Sequence, residues 1–234
     1  MSERFFLTTP PVGSKAVLTG DEARHLARVL RAAVGDEVTL FDGRGHSWPA
    51  RVAVLGRDTV ELETGAARVE LASDTALTLA VALPKGERQK WLVEKLTELG
   101  VARLVPLVTE RGVAEATSAA LARLERGVIE ASKQCGRDTL MAIAAPASVA
   151  EIVAGKVAGV IGLVADPAGR PLDTAGWPER AEVLGLVGPE GGFSPGELAA
   201  TDAAGWPRVA LAAHVLRVET AAVALAARLA GVRS

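Results

Sequence analysis

The chain has 234 residues, of which 49% are hydrophobic and 23% charged, a balance that allows a buried core and excludes wholesale disorder. The formal net charge of −2 argues against a dedicated nucleic-acid-binding domain, which is usually basic, but it leaves room for a local basic patch that contacts RNA. The single cysteine, Cys135, excludes both a disulfide within the chain and a zinc site built from cysteines.

Residues 1–72 predict a small β-barrel. One helix, predicted from Asp21 to Arg31, interrupts the strands, and Thr19 with Glu22 predicts a capping box at its start. Asp42-Gly43 is typical of a hairpin turn. Short strand-like runs, separated by turns rich in glycine and aspartate, lie at 16–18, 37–41, 50–55 and 59–62.

Residues 73–234 predict an α/β domain with a parallel sheet, because strand and helix patterns alternate there. A polar junction near Ser73-Asp74 separates the two domains, and Gly100 ends the first helix. Continuous apolar runs predict buried strands at 77–82, 101–108, 160–164 and 183–187. Helical patterns lie at 87–99, 117–137 and 220–229.

Charged residues form two stripes on the predicted helices. Arg24, Arg28 and Arg31 share one face, which favours RNA contact, although cations near a helix C-terminus also suit the helix dipole. On the 117–137 helix, a polar stripe lies opposite an apolar face that includes Cys135, which we expect in the core. The stripe consists of Glu130, Lys133, Gln134 and Arg137, and its simplest interpretation is a solvated face.

A glycine-rich segment, 188–192, follows the buried strand that ends at Val187. Ser194, Pro195 and Glu197 then predict a capped helix start. The loop therefore lies at the carboxyl end of a strand, where open α/β sheets bind ligands, and its glycines let the backbone approach a flat ring. The alternative is a tight strand-to-helix turn. The pattern is neither a P-loop nor a dinucleotide-binding G-x-G-x-x-G loop.

A second segment, 211–221, joins a strand near 208–211 to the last helix. Arg217 and Glu219 bracket the start of that helix, and by themselves they could be an ordinary surface pair.

Taken together, these segments resemble the RsmE family within the SPOUT superfamily of methyltransferases. The matching segments, in chain order, are 24–31, 41–45, 85–101, 110–111 with 130–137, 188–192 and 216–221. The resemblance implies an N-terminal PUA-like β-barrel over 1–72 that binds RNA. It also implies a SPOUT catalytic domain over 73–234, in which a deep trefoil knot in a parallel-sheet α/β fold forms the cofactor site.

The resemblance implies an enzyme that uses S-adenosylmethionine to methylate N3 of one uridine in 16S ribosomal RNA of the small ribosomal subunit. We expect a cytoplasmic location by default, because Met1 to Thr9 contain no long apolar core typical of a signal peptide. The resemblance also implies a homodimer, with the cofactor bound by the loop after 163–164 and by the two later segments. The expected cofactor-binding residues are Leu163, Val187, Gly188, Pro189, Glu190, Gly191, Gly192, Leu211, Val215, Leu216 and Thr220. Arg24, Arg28 and Arg31 are the expected RNA contacts.

Methyl transfer to the uracil nitrogen requires alignment of the reacting atoms and stabilisation of charge on the ring oxygens. We expect Arg137 and Arg217 to contact the uracil oxygens or an RNA phosphate. Glu219 is a candidate base.

Two alternatives remain open. A ribose 2′-O methyltransferase of the same superfamily is disfavoured by Glu219-Thr220-Ala221, and a non-catalytic RNA- or ribosome-binding protein is disfavoured by the intact glycine-rich loop. We expect no metal site, because the three histidines are scattered, and no membrane span, because no apolar run reaches about 18 residues.

Overall fold

The structure is a computed structural model that describes residues 3–70, 76–113, 116–155, 157–175, 177–178 and 181–230. The chain divides into two compact units. The first comprises Met1–Ala72 together with Ser132–Leu140, and the second comprises Ser73–Ala131 together with Met141–Ser234. The predicted junction at Ser73-Asp74 lies outside the described residues, so the boundary between 1–72 and 73–234 stays a prediction.

The first unit is built on a six-stranded sheet in the order β1-β3-β4-β5-β2, with β6 paired to β4. Side chains alternate between buried and exposed along β2 and β5, as expected for strands with one face on a core. The four predicted strands are confirmed, whereas the short β1 and β6 carry too few residues for a pattern. The strands are β1 (Arg4–Phe6), β2 (Lys15–Thr19), β3 (Glu37–Phe41), β4 (His46–Leu55), β5 (Thr59–Thr64) and β6 (Arg68–Val69).

The helix predicted from Asp21 to Arg31 differs from the prediction. Helix α1 (Gly20–Arg24) continues as a π-helical turn over His25–Val29, and Arg31 takes a left-handed conformation with φ of 54°. The wider turn breaks the 3.6-residue spacing, so the prediction that Arg24, Arg28 and Arg31 share one α-helical face is wrong.

The capping box predicted for α1 is also wrong, because Thr19 makes no side-chain cap. The Glu22 carboxylate instead accepts hydrogen bonds from the backbone N–H of Phe6 over 3.3 Å and from Nζ of Lys133 over 3.0 Å. The Glu22 side chain, which the local pattern predicts to cap the helix, binds Phe6 and Lys133 instead.

Residues 132–140 pack with the first unit, although they lie far along the chain. Asp138 forms an ion pair with Arg4 and accepts a hydrogen bond from Ser47 Oγ over 2.7 Å. Backbone hydrogen bonds from Leu140 N to Gly43 O and from Gly45 N to Asp138 O continue the attachment over 3.0 and 3.2 Å. The sequence prediction of a contiguous first domain did not anticipate this segment.

The second unit contains a seven-stranded sheet in which every recorded pair is parallel, as predicted. The strand order is β10-β8-β7-β12-β11-β13, with β9 paired to β8. The strands are β7 (Leu77–Val81), β8 (Arg103–Val108), β9 (Ala142–Ile143), β10 (Ala147–Ser148), β11 (Ile161–Pro171), β12 (Val183–Val187) and β13 (Arg208–Ala210). The central strands β7 and β12 are almost fully buried, which explains their continuous apolar sequences.

In the part of the chain that the structure describes, five helices alternate with the strands of the second unit. They are α2 (Glu87–Glu98), α3 (Ser118–Cys135), α4 (Val149–Ala154), α5 (Pro195–Ala203) and α6 (Val218–Ala230). Residues 132–135 at the end of α3 belong to the first unit. Gly100, with φ of 76°, ends α2 as predicted. Among the described residues, no helix combines the length and the apolar character needed to cross a membrane.

Two predictions for the end of α3 are wrong. Gly136, with φ of 85°, stops the helix at Cys135, so Arg137 lies beyond its end and does not continue the polar stripe. Cys135 is exposed in the last turn and does not enter the core. Leu124, Val128 and Ala131 on the predicted apolar face are buried.

Candidate functional site

A cavity of about 210 Å³ lies in the second unit, beside the middle of β11 and the carboxyl ends of β12 and β13. This volume equals that of about seven water molecules in the liquid, which is too large for a packing defect. Its wall consists of Ala165, Asp166, Pro167, Val187, Gly188, Pro189, Glu190, Gly192, Phe193, Leu198, Val209, Leu211, Ala212, His214, Val215, Leu216, Val218 and Ala221. The cavity therefore occupies the ligand-binding edge of an open parallel sheet.

The glycine-rich loop forms one wall because two of its positions exclude larger residues. A Cβ on Gly188 would come within 2.9 Å of the Phe193 ring, and Gly192 has a φ of 69° that L side chains rarely adopt. A backbone hydrogen bond from Gly192 N to Pro189 O over 2.8 Å closes the turn. The loop thus presents its backbone to the cavity.

The predicted helix start after this loop is confirmed. Ser194 N donates to Glu197 Oε2 over 2.7 Å, and Glu197 N donates to Ser194 Oγ over 3.2 Å, which completes the capping box. Pro195 occupies the start of the helix. The capping box fixes where the loop ends and α5 begins.

Two arginines contact the glycine-rich loop from outside the cavity. Arg111 Nη1 donates to the carbonyl oxygens of Gly191 and Phe193 over 2.8 and 3.3 Å. Arg88 Nη1, in the first turn of α2, lies 3.0 Å from Glu190 Oε1 and 3.6 Å from Glu219 Oε2. The loop conformation therefore depends on side chains distant in sequence.

The opposite wall comes from the segment between β13 and α6. Leu211, Val215 and Leu216 line the cavity, and Val215 is 77% exposed. The structure thus brings the two separately predicted segments, 188–192 and 211–221, to one cavity.

Most of the expected cofactor-binding residues line this cavity. Those on its wall are Val187, Gly188, Pro189, Glu190, Gly192, Leu211, Val215 and Leu216. Leu163 has no exposed surface and lies inside the sheet. Gly191 and Thr220 lie next to wall residues and not on the wall.

The sequence prediction missed Asp166, an acidic residue on the wall. The expected loop after 163–164 is a bulge inside β11, whose pairing with β13 is interrupted between Ala165 and Arg170. Asp166 Oδ1 accepts a hydrogen bond from Ala168 N over 2.8 Å, and its Oδ2 lies 3.7 Å from Arg208 Nη1. The Asp-Pro pair that ends an apolar run was the available signal.

Few ionisable groups reach the cavity. On the wall they are Asp166, Glu190 and His214, and the other wall positions offer apolar side chains or backbone. A hydrogen bond to Asp202 raises the pKa of Arg208, which keeps this partner of Asp166 charged. The cavity therefore combines an apolar surface with two carboxylates, a composition that suits a ligand with a flat apolar part and a separate positive charge. The described residues contain no group of three or more metal-ligating side chains.

The candidate catalytic residues differ in their surroundings. Arg217 is exposed beside the wall residue Leu216, whereas Glu219 is buried in the first turn of α6. Arg137 belongs to the first unit, and burial lowers the pKa of its guanidinium, an effect that the negative charge of Glu70 opposes.

Two of the three expected RNA-contacting arginines have acidic neighbours within the first unit. Arg24 forms an ion pair with Asp21, and Arg28 Nη2 lies 3.9 Å from Asp58 Oδ1. Both pairs are exposed, so their contribution to stability is small and the guanidinium groups remain accessible.

Comparison with known proteins gives matches along most of the chain. A family profile for an RNA methyltransferase domain matches residues 72–230, and a profile for an RNA methyltransferase PUA domain matches residues 18–64. The chain is 35% identical over 225 residues to the ribosomal RNA small subunit methyltransferase E of Synechocystis sp., an alignment that covers 92% of this chain and 73% of the relative.

Solved structures give the same result for the fold. A ribosomal RNA small subunit methyltransferase E from Neisseria gonorrhoeae, bound to S-adenosylmethionine, is similar with a TM-score of 0.90 at 29% identity, over 100% of this chain and 98% of that one. A methyltransferase from Legionella pneumophila, in complex with S-adenosylmethionine, is similar with a TM-score of 0.90 at 27% identity, over 99% and 98% of the two chains. The PUA-like N-terminal fold and the α/β C-terminal fold are confirmed.

Proposed function

Because this chain belongs to the ribosomal RNA small subunit methyltransferase E family, we propose that it transfers a methyl group from S-adenosylmethionine to N3 of a specific uridine in 16S ribosomal RNA. The observation that carries the proposal is the cavity at the strand ends, where the glycine-rich loop and the 211–216 segment meet. A protein that only bound RNA would not need this cavity.

The wall of the cavity fits S-adenosylmethionine. The backbone of the glycine-rich loop allows close approach of a flat adenine ring, and apolar side chains such as Val187 and Leu211 can cover it. Asp166 and Glu190 provide negative charge and hydrogen-bond acceptors for the ribose hydroxyls or the cationic part of the cofactor. When bound, the cofactor supplies an activated methyl group on a sulfonium.

The residues of the chain have three tasks in this reaction. They must align the acceptor nitrogen with the methyl carbon, stabilise negative charge on the uracil oxygens, and let the imide proton leave. We assign Arg217 and Arg137 to the uracil oxygens or to an RNA phosphate. Arg217 is exposed next to the wall residue Leu216, which supports its assignment.

Glu219 is the candidate base, but its side chain does not reach the cavity directly. It is buried and does not line the cavity, and Arg88 Nη1 lies 3.6 Å from its Oε2. As a base it would have to receive the proton through a shift of the α6 start or through water. If it is the base, Glu219→Gln loses turnover by a much larger factor than it loses affinity for the cofactor.

The remaining features complete the proposal. The first unit binds the RNA, with Arg24, Arg28 and Arg31 as phosphate contacts, and the partner is the small ribosomal subunit in the cytoplasm. The C-terminal segments are threaded as a deep trefoil knot. Two copies form a homodimer, which the exposed Val215 beside the cavity supports, since a second copy could cover it.

The test is methylation of small ribosomal subunits that lack the modification. Subunits are incubated with the protein and labelled S-adenosylmethionine, and the product nucleosides are identified by mass spectrometry. We expect N3-methyluridine at one position. Label on a ribose 2′-oxygen would identify the related ribose reaction instead, and failure to bind S-adenosylmethionine in calorimetry would leave an RNA-binding protein.

A further inference from the structure

A buried carboxylate lies directly behind the cavity wall. Glu219 is 6% exposed, and its Oε2 accepts no hydrogen bond from any residue within the described ranges. A carboxylate in such a place costs free energy unless nearby positive charge compensates it. The N-terminus of α6, where Glu219 lies, supplies part of that compensation.

The guanidinium of Arg88 supplies the other part of the positive charge that compensates Glu219. Its Nη1 lies 3.6 Å from Glu219 Oε2 and 3.0 Å from Glu190 Oε1, so one guanidinium faces two carboxylates. Arg88 lies in the first turn of α2, where the helix dipole disfavours a cation, so its own helix does not explain the position of the charge. The packing of α2 along α6 brings the guanidinium to both carboxylates.

Glu190 lies on one wall of the cavity, and Glu219 lies directly behind the opposite wall. Glu190 is a wall residue of the glycine-rich loop, and Glu219 follows the wall residue Val218 at the start of α6. A group that binds both therefore links one wall to the other. The ion pair between Arg88 and Glu190 alone, with both side chains partly exposed, would count for little. Because Glu219 is buried, the loss of its positively charged neighbour Arg88 would cost much more free energy than the loss of an exposed ion pair.

We infer that Arg88 is a positioning residue for the cofactor site: by bridging Glu190 and Glu219, it holds the glycine-rich loop at the distance from α6 that the cavity requires. The inference rests on the proposed function, because it takes S-adenosylmethionine as the ligand of the cavity. Arg88 itself does not line the cavity and makes no contact with the cofactor in this role.

The test compares cofactor affinity among full-length variants by calorimetry, at a temperature where circular dichroism shows all of them folded. We expect Arg88→Gln to weaken binding of S-adenosylmethionine by roughly tenfold, the effect of one charge-assisted hydrogen bond. Arg88→Lys should recover part of the affinity, because a lysine keeps the charge. Wild-type affinity in Arg88→Gln would overturn the inference.

A charge-compensation experiment separates this role from a general loss of structure. Without Arg88, the buried Glu219 carboxylate keeps only the N-terminus of α6 as compensation, so adding Glu219→Gln to Arg88→Gln should restore about half of the lost affinity on a logarithmic scale. Arg111→Gln is the matched control, because Arg111 holds the same loop through backbone carbonyls and has no carboxylate partner among the residues that the structure describes. If Glu219→Gln changes the cofactor affinity of the Arg88→Gln variant and of the Arg111→Gln variant by the same factor, the bridge is contradicted.

Amide hydrogen exchange, measured on the protein without ligand, tests the Arg88 bridge independently of whether the protein binds S-adenosylmethionine. If wild-type protein does not bind S-adenosylmethionine, the proposed function fails, and the bridge is judged by exchange alone. Faster exchange of the amides of residues 188–193 in Arg88→Gln than in the wild type supports the bridge. Unchanged exchange in that segment refutes it.

Discussion

The guanidinium of Arg111 donates a hydrogen bond to the carbonyl oxygen of Gly191 over 2.8 Å, and to that of Phe193 over 3.3 Å. These bonds hold the outer side of the glycine-rich loop while its inner side faces the cavity. The loop has no side chain of its own on Gly191 or Gly192 to fix it. Its conformation is therefore maintained by a residue about eighty positions earlier in the chain.

Replacing Arg111 should loosen the loop. We expect Arg111→Ala to lower the affinity for S-adenosylmethionine by roughly tenfold, because two charge-assisted hydrogen bonds to carbonyl oxygens are lost. Calorimetry measures the affinity, and Arg103→Ala, an exposed arginine on the preceding strand β8, is the control. Identical affinity in Arg111→Ala and wild type would show that the loop holds its conformation without this clamp.

Replacing Arg217 tests its proposed contact with the RNA substrate. We expect Arg217→Ala to abolish methylation while the protein folds normally and still binds the cofactor, because the exposed side chain contributes to charge stabilisation and not to packing. Single-turnover transfer to small subunits gives the rate, and thermal unfolding gives the stability. Wild-type turnover in this variant would refute the assignment.

Asp166 should contribute to cofactor binding through its carboxylate. We expect Asp166→Asn to weaken binding of the cationic S-adenosylmethionine more than binding of the neutral product S-adenosylhomocysteine, because the amide keeps the shape and removes the charge. Competition titrations of the two ligands measure the ratio. A proportional loss for both ligands would mean that Asp166 does not act on the positive charge.

The three arginines of the first unit should act through RNA phosphates. We expect the combined Arg24→Ala, Arg28→Ala and Arg31→Ala variant to bind RNA more weakly and with a shallower dependence on salt, because fewer counterions are released. Filter binding at several salt concentrations measures both quantities. Arg51→Ala, an exposed ion-paired arginine on β4, is the control. An unchanged salt slope in the triple variant would exclude these residues as phosphate contacts.

The pH dependence of stability should report on Asp42. Burial alone would raise the pKa of Asp42, but hydrogen bonds from the backbone N–H groups of Arg44 and His46 and from the His46 ring outweigh burial, so its pKa lies below the ordinary value. A lowered pKa stabilises the fold above the unfolded value of about 4, and the contribution is lost as pH falls through the folded pKa.

We therefore expect Asp42→Asn to destabilise the first unit by about 2 kcal/mol at pH 7, and by clearly less at pH 3. Urea unfolding at the two pH values measures this difference. The exposed Asp58, replaced by asparagine, is the control and should show little effect at either pH. If Asp42→Asn lowers the free energy of unfolding by the same amount at pH 7 and at pH 3, the charge of Asp42 does not contribute to stability.

The glycine-rich loop could be predicted from sequence because its signals are local. The strand ending at Val187, the loop glycines and the Ser194–Glu197 capping box all lie within a dozen residues, and each fixes its neighbours. The parallel sheet was predictable for the same reason, since its buried central strands have continuous apolar sequences.

The remaining features depend on tertiary contacts that a local pattern does not contain. Asp166 reaches the cavity because β11 pairs with β13 on both sides of a bulge. Glu22 leaves its predicted cap because Phe6 and Lys133 bind it. The arrangement of Arg88 between Glu190 and Glu219 joins three elements that are far apart in the chain.

The attachment of residues 132–140 to the first unit has a consequence for biosynthesis. A nascent chain that has emerged only as far as residue 72 has Arg4 and Ser47 but not their partner Asp138. The N-terminal unit reaches its final stability only after about twice that length has left the ribosome. By then the first strands of the second unit's sheet have also left the ribosome. Translation therefore cannot finish one unit before it begins the other.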